Sequence, residues 1–335
     1  MSNHTLIIAE AGVNHNGDIN RALELVHAAA ESGADIVKFQ TFKAELLVTP
    51  LATTAEYQNK NLNLGPESSQ YEMLKKLEIS FENHHILIEL CRKLKIGFLS
   101  TAFDFSSLDF LISLKLGLWK IPSGEITNLP YLEKIARLNQ KTLVSTGMCD
   151  LNEVQEAFTV LTQNGLDRDN IVVLHCNTDY PTDMKDVHLN AMVAMGQTFG
   201  TSYGYSDHTL GLEVPVAAVA LGASVIEKHF TLSRKLEGPD HAASLEPGEL
   251  NQMVRSIRYI ELALGRSEKR ATESEKKNRQ VARKSIIALT DIKKGEKLSE
   301  ANLTTRRPGH GTSPMRWYDV IGQVASQDYA AGDLL

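Results

Sequence analysis

The sequence lacks any unbroken apolar run near the roughly 20 residues that a membrane-spanning helix needs. Its N-terminus also lacks the basic-then-apolar layout of a secretory signal, so a cytoplasmic location is expected. Cysteine is scarce: Cys91, Cys149 and Cys176 are far apart, odd in number and outside any CxxC pair. That speaks against a disulfide framework and against a thiolate zinc site, leaving buried thiols in a reducing compartment. The net charge is −6, and no basic stripe is interleaved with aromatic side chains, so nucleic acid is not an expected partner. Internal repeats and low-complexity segments are also missing.

What is present is an alternation of short apolar runs with amphipathic stretches. The runs predict strands at 5–9, 36–40, 97–100, 118–121, 142–145, 171–176, 203–206 and 225–228. Helical spacing of apolar residues appears at 21–31, 81–94, 129–138, 151–163 and 215–221. Eight βα units over about 260 residues fit an α/β chain folded as a (β/α)8 TIM barrel better than an open doubly wound sheet. The segment 42–69 interrupts the rhythm and reads as a long loop or small hairpin. From 265 the chain turns to "GRSEKRATESEKKNRQVARK", charged and nearly free of large apolar residues, which predicts a solvated connection. The expected organisation is therefore a catalytic barrel over 1–264, a linker over 265–281 and a small α+β domain over 282–335. In that last part short strands and Gly-containing turns lead into "SPMRWYDVIG", a turn or helix. At about 55 residues it would be marginal alone.

Four apolar residues in "LIIAEAGVNHNGD" run straight into a glutamate, which packing alone does not explain. In a barrel, the C-terminal strand ends form the catalytic mouth, and nearly every predicted strand delivers polar groups there. These are Glu10 and Asn14, Lys38 and Gln40, Ser100 and Thr101, then Lys120, Ser123 and Glu125. Ser145 follows in "STGM", and the last three strands end in "HCNTDYPT", "YSDHT" and "EKHFT". Two lysines beside hydroxyls predict an anion site for a phosphate, a carboxylate or both, helped by N–H groups at helix starts. His208 and His229 lie one βα unit apart, on adjacent strand ends. Two imidazoles there suit a divalent metal whose other positions go to water or substrate oxygen, the open geometry that carbonyl activation needs. His15, His175 and His241 are weaker polar candidates, and Asp240 stands in the polar loop "GPDHAASLEP". A carboxylate at the mouth can act as acid or base, and Glu10 and Glu125 share that role undivided.

Taken in order, "AEAGVNHNGD", "VKFQTF", "LSTAFD", "WKIPSGE", "STGM", "HCNTDYPT", "YSDHT", "EKHFTL", "GPDHAASLEP" and "RRPGHG" resemble the bacterial sialic acid synthase family over nearly the whole chain. The resemblance implies a TIM barrel followed by an antifreeze-like domain, also called SAF. It implies condensation of phosphoenolpyruvate with an N-acetylmannosamine-type aldose to a nine-carbon 2-keto sugar: N-acetylneuraminate, legionaminate or pseudaminate. By the same resemblance His208 and His229 hold a divalent metal, usually manganese, with magnesium or cobalt as alternatives. Lys38, Thr101, Lys120, Ser123, Ser145 and Ser206 hold phosphoenolpyruvate, while Gln40, Tyr180 and Asp240 contact the sugar. Glu10 and Glu125 handle protons. Related enzymes often have asparagine where Thr178 stands here, after Asn177, so either of these two can be the phosphoenolpyruvate contact; Ala102 replaces a common proline. The family further implies a homodimer in which Arg307 of the C-terminal domain reaches the partner's sugar site. Rival readings are a metal-dependent aldolase or sugar isomerase, which would not need phosphoenolpyruvate, and a non-catalytic ice- or partner-binding role, which leaves the polar strand ends unexplained.

Overall fold

The alternation of apolar runs and amphipathic stretches is realised as eight parallel strands. They are β1 (Leu6–Gly12), β2 (Ile36–Thr41), β3 (Gly97–Ala102), β4 (Leu118–Ile121), β5 (Lys141–Ser145), β6 (Ile171–His175), β7 (Ser202–Asp207) and β8 (Val225–His229). This is a computed structural model, and it describes residues 4–49, 51–62 and 68–335. The hydrogen-bonded order is β3-β2-β1-β8-β7-β6-β5-β4. The two ends of that order, β3 and β4, lie side by side and complete a nearly closed barrel. Six strands run longer than the apolar runs alone predicted, β4 keeps its predicted bounds and β6 ends one residue early. Ladder pairing carries β1 through Glu10 and β8 through His229, so these polar residues belong to strands rather than following them.

Helices return the chain outside the barrel: α1 (Ile19–Glu31), then, after the short α2 (Ala44–Leu47), α3 (Glu56–Leu62) and α4 (Gln70–Lys75) of the connection beyond β2, α5 (Phe81–Leu94), α6 (Phe105–Ser113) and α7 (Leu129–Ala136). After them come α8 (Leu151–Gln163), α9 (Leu189–Phe199), α10 (Glu213–Ala220) and α11 (Pro247–Leu264). Local chemistry explains where they start and which face they bury. Helix α5 begins where the Ser80 hydroxyl accepts from Asn83 N–H at 3.2 Å, and it buries His84, Leu87 and Cys91, spaced three and four apart. Helix α8 begins with a reciprocal cap between Asp150 and Glu153. The predicted loop or hairpin at 42–69 is corrected: an antiparallel bridge joins Thr53 and Ser69, but α2 and α3 dominate the segment. Positions 50 and 63–67 of it lie outside the described residues.

Period two along each strand separates two cores. Inward-facing Ile8, Leu99, Leu143, Val172, Leu174 and Val225 plug the barrel, each buried side chain contributing about 1.5–3 kcal/mol. Outward-facing residues of the same strands, such as Ile7, Val37, Phe39, Tyr205 and Ile226, pack against the helices. Above the plug the inward positions continue as polar residues, and those make the site.

The chain divides into compact units over 1–265 and 266–335. In the second, β9 (Ser285–Ala288) pairs antiparallel with β10 (Leu303–Arg306) over a core of Ile286, Ala288, Ile292, Leu298, Leu303 and Ala325. The "SPMRWYDVIG" stretch holds a 3-10 turn and α13 (Trp317–Val320). The charged connection is not extended throughout: α12 (Glu273–Ala282) starts on a Thr272–Glu275 capping box, and Gly309 N–H donates to Gln280 O at 2.9 Å. No helix among the described residues is long and apolar enough to cross a membrane.

Candidate functional site

Two residues above the apolar plug, the inward positions read Glu10 on β1, Lys38 on β2, Thr101 on β3, Lys120 on β4, Ser145 on β5, Ser206 on β7 and Glu227 on β8. One step higher, Gln40, Cys176, His208 and His229 continue the same faces. Together with Ser123, Thr178 and Tyr180 they line a cavity of about 590 Å³ at the C-terminal mouth. On β1 the register shifts between Glu10 and Gly12, and Gly12 sits at φ +53°. A side chain at Gly12 would start 3.3 Å from both Glu10 Oε1 and His229 Cε1, so glycine allows these two groups to approach.

The floor is a chain of alternating charge. Glu10 Oε2 lies 2.8 Å from Lys38 Nζ, Lys38 Nζ lies 3.7 Å from Glu227 Oε2, and Glu227 Oε1 accepts from Lys120 Nζ at 2.9 Å. Lys38 also donates to Thr101 Oγ1 at 3.1 Å, and Ser206 Oγ donates to Glu227 Oε1 at 2.9 Å. Burial works against every one of these charges. For Lys38 the carboxylates of Glu10 and Glu227 outweigh burial and hold its pKa up, so it stays an ammonium. In Glu227, Lys120 and Lys38 outweigh burial and hold the carboxyl well below the usual range. Glu10 goes the other way: burial pushes it up against the pull of Lys38, and the nearby Glu227 charge adds to the rise. Gln40 Nε2 donates to its other oxygen at 3.1 Å. Two adjacent carboxylates thus differ in basicity, as a proton-transfer site requires.

The imidazoles of His208 and His229 have ring centres 5.5 Å apart, with the Tyr180 ring 4.0 Å from His208. His208 Nδ1 is held by the backbone oxygen of Asn177, which leaves Nε2 as its available lone pair. His229 Nδ1 is buried without a hydrogen-bond partner. Burial lowers both pKa values, His208 to about 4, so both rings are neutral near pH 7. Neutral, buried and incompletely bonded imidazoles fit a divalent cation. Among the described residues no group of three or more His, Cys, Asp or Glu is arranged around an ion position, so such a cation would take its remaining ligands from water or substrate.

Not every expected residue reaches the cavity. Glu125 lies in the 3-10 turn after β4, half-buried, accepting from Asn128 Nδ2 at 2.6 Å, and is not part of the lining; burial raises its pKa. Asn177 turns its side-chain oxygen to Asp179 N–H at 2.7 Å, whereas Thr178 lines the cavity. Asp240 is buried behind it, Oδ2 4.0 Å from His229 Nδ1, its pKa pushed up to about 7 by burial and by Glu10. Ser100 faces outward and bonds Thr41 Oγ1 at 2.6 Å; Asn14 donates to Phe230 O and Ser244 Oγ. Of the weaker histidines, His175 contacts Val187 O at 3.1 Å, His241 contacts Thr231 Oγ1 at 2.6 Å and His15 Nδ1 accepts from Gly17 N–H at 2.9 Å, all outside the lining. Arg307 is exposed on the turn after β10, whose backbone is tied to Ser285 Oγ through Pro308 O and Gly311 N–H at 2.6 and 2.9 Å. Glu227 was missed. Its signal was available: it stands two residues before His229, on the same strand face.

Comparison with known proteins accounts for this arrangement. A family model described as the NeuB family matches residues 25–269, and a SAF domain model matches 283–335. The chain belongs to the NeuB family. An N,N'-diacetyllegionaminic acid synthase of Campylobacter jejuni is 52% identical over 331 residues, covering 99% of this chain and 98% of that protein. One from Legionella pneumophila is 50% identical over 333 residues, covering 98% and 92%. A crystal structure of N-acetylneuraminic acid synthetase from Leptospira borgpetersenii, bound to citrate, superimposes with a TM-score of 0.71 at 31% identity, covering 82% of this chain and 90% of that one. The family match takes in β2 to β8, with Lys38, Lys120, Glu227 and the histidine pair, while Glu10 on β1 stands before its first matched residue.

Proposed function

We propose that this enzyme condenses phosphoenolpyruvate with 2,4-diacetamido-2,4,6-trideoxymannose, releasing phosphate and forming N,N'-diacetyllegionaminate. The reaction class rests on one observation: two lysines and five serine or threonine residues face the same cavity as two neutral imidazoles and a carboxylate of raised pKa. The choice of sugar rests on the two legionaminic acid synthases that share half of its residues. N-acetylmannosamine, leading to N-acetylneuraminate, is the second reading, favoured by the structural likeness to the Leptospira synthetase.

In this mechanism Lys38, Lys120, Thr101, Ser145 and Ser206 bind the phosphate and carboxylate, with Ser123 and Thr178 on the adjoining wall. Ser145 Oγ is buried without a partner, so it has a free hydroxyl for that task. Manganese, in preference to magnesium or cobalt, would be held by His208 and His229 and would supply Lewis-acid polarisation of the aldehyde. Gln40 and Tyr180, both in the lining, orient the sugar, and Asp240 acts from behind them beside His229. C3 of phosphoenolpyruvate then bonds to C1 of the aldehyde as the C=O π pair moves onto the aldehyde oxygen, which takes up a proton to become the product hydroxyl, and positive charge develops at C2. Water adds at C2, Glu10 takes its proton, and C–O cleavage releases phosphate. Glu10 suits this step better than Glu125 because it lines the cavity. The lysines stabilise the phosphate charge where water is partly excluded.

Phosphate release measured with each sugar tests the reading. Turnover with the diacetamido sugar well above that with N-acetylmannosamine supports it; aldose-dependent carbon–carbon bond formation without phosphate release overturns the class. Chelator dialysis should abolish turnover without lowering the melting temperature, and the electron paramagnetic resonance of added manganese should report its binding and lose that signal in His208→Ala. The reading includes a homodimer in which the partner's Arg307 reaches the sugar's N-acyl oxygen, a task for a planar, permanently charged donor. Mixing His208→Ala with Arg307→Ala subunits after proven exchange should restore part of the activity; no recovery would place Arg307 in its own chain's site or in none.

A further inference from the structure

We propose that Glu227 is a positioning residue for the anionic substrate, holding both lysine ammonium groups in reactive alignment from the centre of the barrel floor. The inference rests on the function proposed above and adds a residue that this mechanism does not use. In the ring of eight, β8 stands opposite β4. From β8, Glu227 therefore reaches across the barrel axis, and its Oε1 accepts from Lys120 Nζ and Ser206 Oγ, each at 2.9 Å. Its Oε2 lies 3.7 Å from Lys38 Nζ and has no hydrogen bond of its own. Below it is the apolar plug, including Val225 on the same strand; above it is the cavity. Two ammonium groups in a dry site repel, and long lysine stems are poorly confined. A carboxylate between them removes both problems; Lys120 keeps two N–H groups for the substrate, and Lys38, already directed at Thr101 and Glu10, keeps at most one.

Its charge has a cost. Lys38 and Lys120 are already balanced by Glu10 and Glu227, so Glu227 weakens the attraction for an incoming phosphate while improving its alignment. Affinity and rate should therefore separate. In Glu227→Gln, kcat should fall by at least about tenfold while the KM for phosphoenolpyruvate stays level or drops, and the sugar KM stays within about threefold. Calorimetry with inorganic phosphate alone should show equal or tighter binding than in the parent protein. Glu227→Asp keeps the charge but shortens the reach, and should lose kcat with phosphate affinity retained; it also serves if the Gln variant does not fold. An unchanged kcat in either folded variant overturns the proposal, as does a phosphate affinity that weakens in step with kcat. If the parent protein releases no phosphate from phosphoenolpyruvate with either sugar, the proposed function fails instead, a result separate from the variant comparison.

Discussion

Two sets of buried polar groups, each with a charge, sit one residue apart on the same strands and behave differently. Facing inward are Ser206 and Glu227; facing outward, between barrel and helices, are Asp207 and Lys228. Lys228 Nζ donates to Asp207 Oδ2 at 2.5 Å and to Thr209 O at 2.7 Å, and Asp207 also accepts from Thr209 N–H and its hydroxyl at 2.9 and 3.1 Å. Both side chains are fully buried. That pair is closed: it staples the turn after His208 to the strand before His229, and its bonding capacity is used internally. The inward set borders a cavity and keeps capacity in reserve at Ser145 Oγ, Glu227 Oε2 and His229 Nδ1. Buried charge by itself therefore does not mark a site. Unused capacity beside an open volume does.

The strongest way to break this contrast is at Glu10. Glu10→Gln keeps the Gln40 contact but removes the base, so turnover should fall by roughly 10²- to 10⁴-fold with little change in either KM, measured by phosphate release. Normal turnover would move the role to Glu125. On the outward side, Lys228→Met leaves Asp207 buried and unpaired, and denaturant unfolding should show a loss of about 3–5 kcal/mol. Replacing both members, as Asp207→Leu with Lys228→Met, should recover part of it. A loss under about 1 kcal/mol in the single variant would show the pair to be slack. Gly12→Ala tests the joint between the two faces: a left-handed backbone and a contact at 3.3 Å predict about 1–2 kcal/mol of destabilisation, with kcat reduced because Glu10 and His229 are pushed apart. The smallest effect belongs to Glu125→Gln, whose kcat should stay within about threefold. A loss matching that of Glu10→Gln would bring Glu125 into the chemistry.

Much of this molecule follows from local rules. Short apolar runs and helical spacing of apolar residues placed the strands and several helices; the predicted bounds of β4, α5 and α8 agree with the structure residue for residue. Polar strand ends pointed to the mouth, because in a parallel barrel the C-terminal ends share one face. The edges of β1 and β8 were cut short, since a glutamate or histidine reads as a loop residue until a neighbouring strand pairs with it. The segment at 42–69 hid its helices because α2 and α3 are only 4 and 7 residues long, too short for a periodic signal.

Which residue types would gather at the barrel mouth was decided by the sequence itself, through period two along each strand and the order of strands and helices. Which of them share a volume was decided by the tertiary structure. Ring closure sets β8 opposite β4 and so joins Glu227 to Lys120 across the axis. The backbone turn after β6 points Thr178 inward and Asn177 away, and the 3-10 turn after β4 keeps Glu125 off the lining. The physical reason is the range of the interactions: propensity and alternation act over a few neighbouring residues, whereas a carboxylate meets an ammonium 107 positions away only after the barrel has closed.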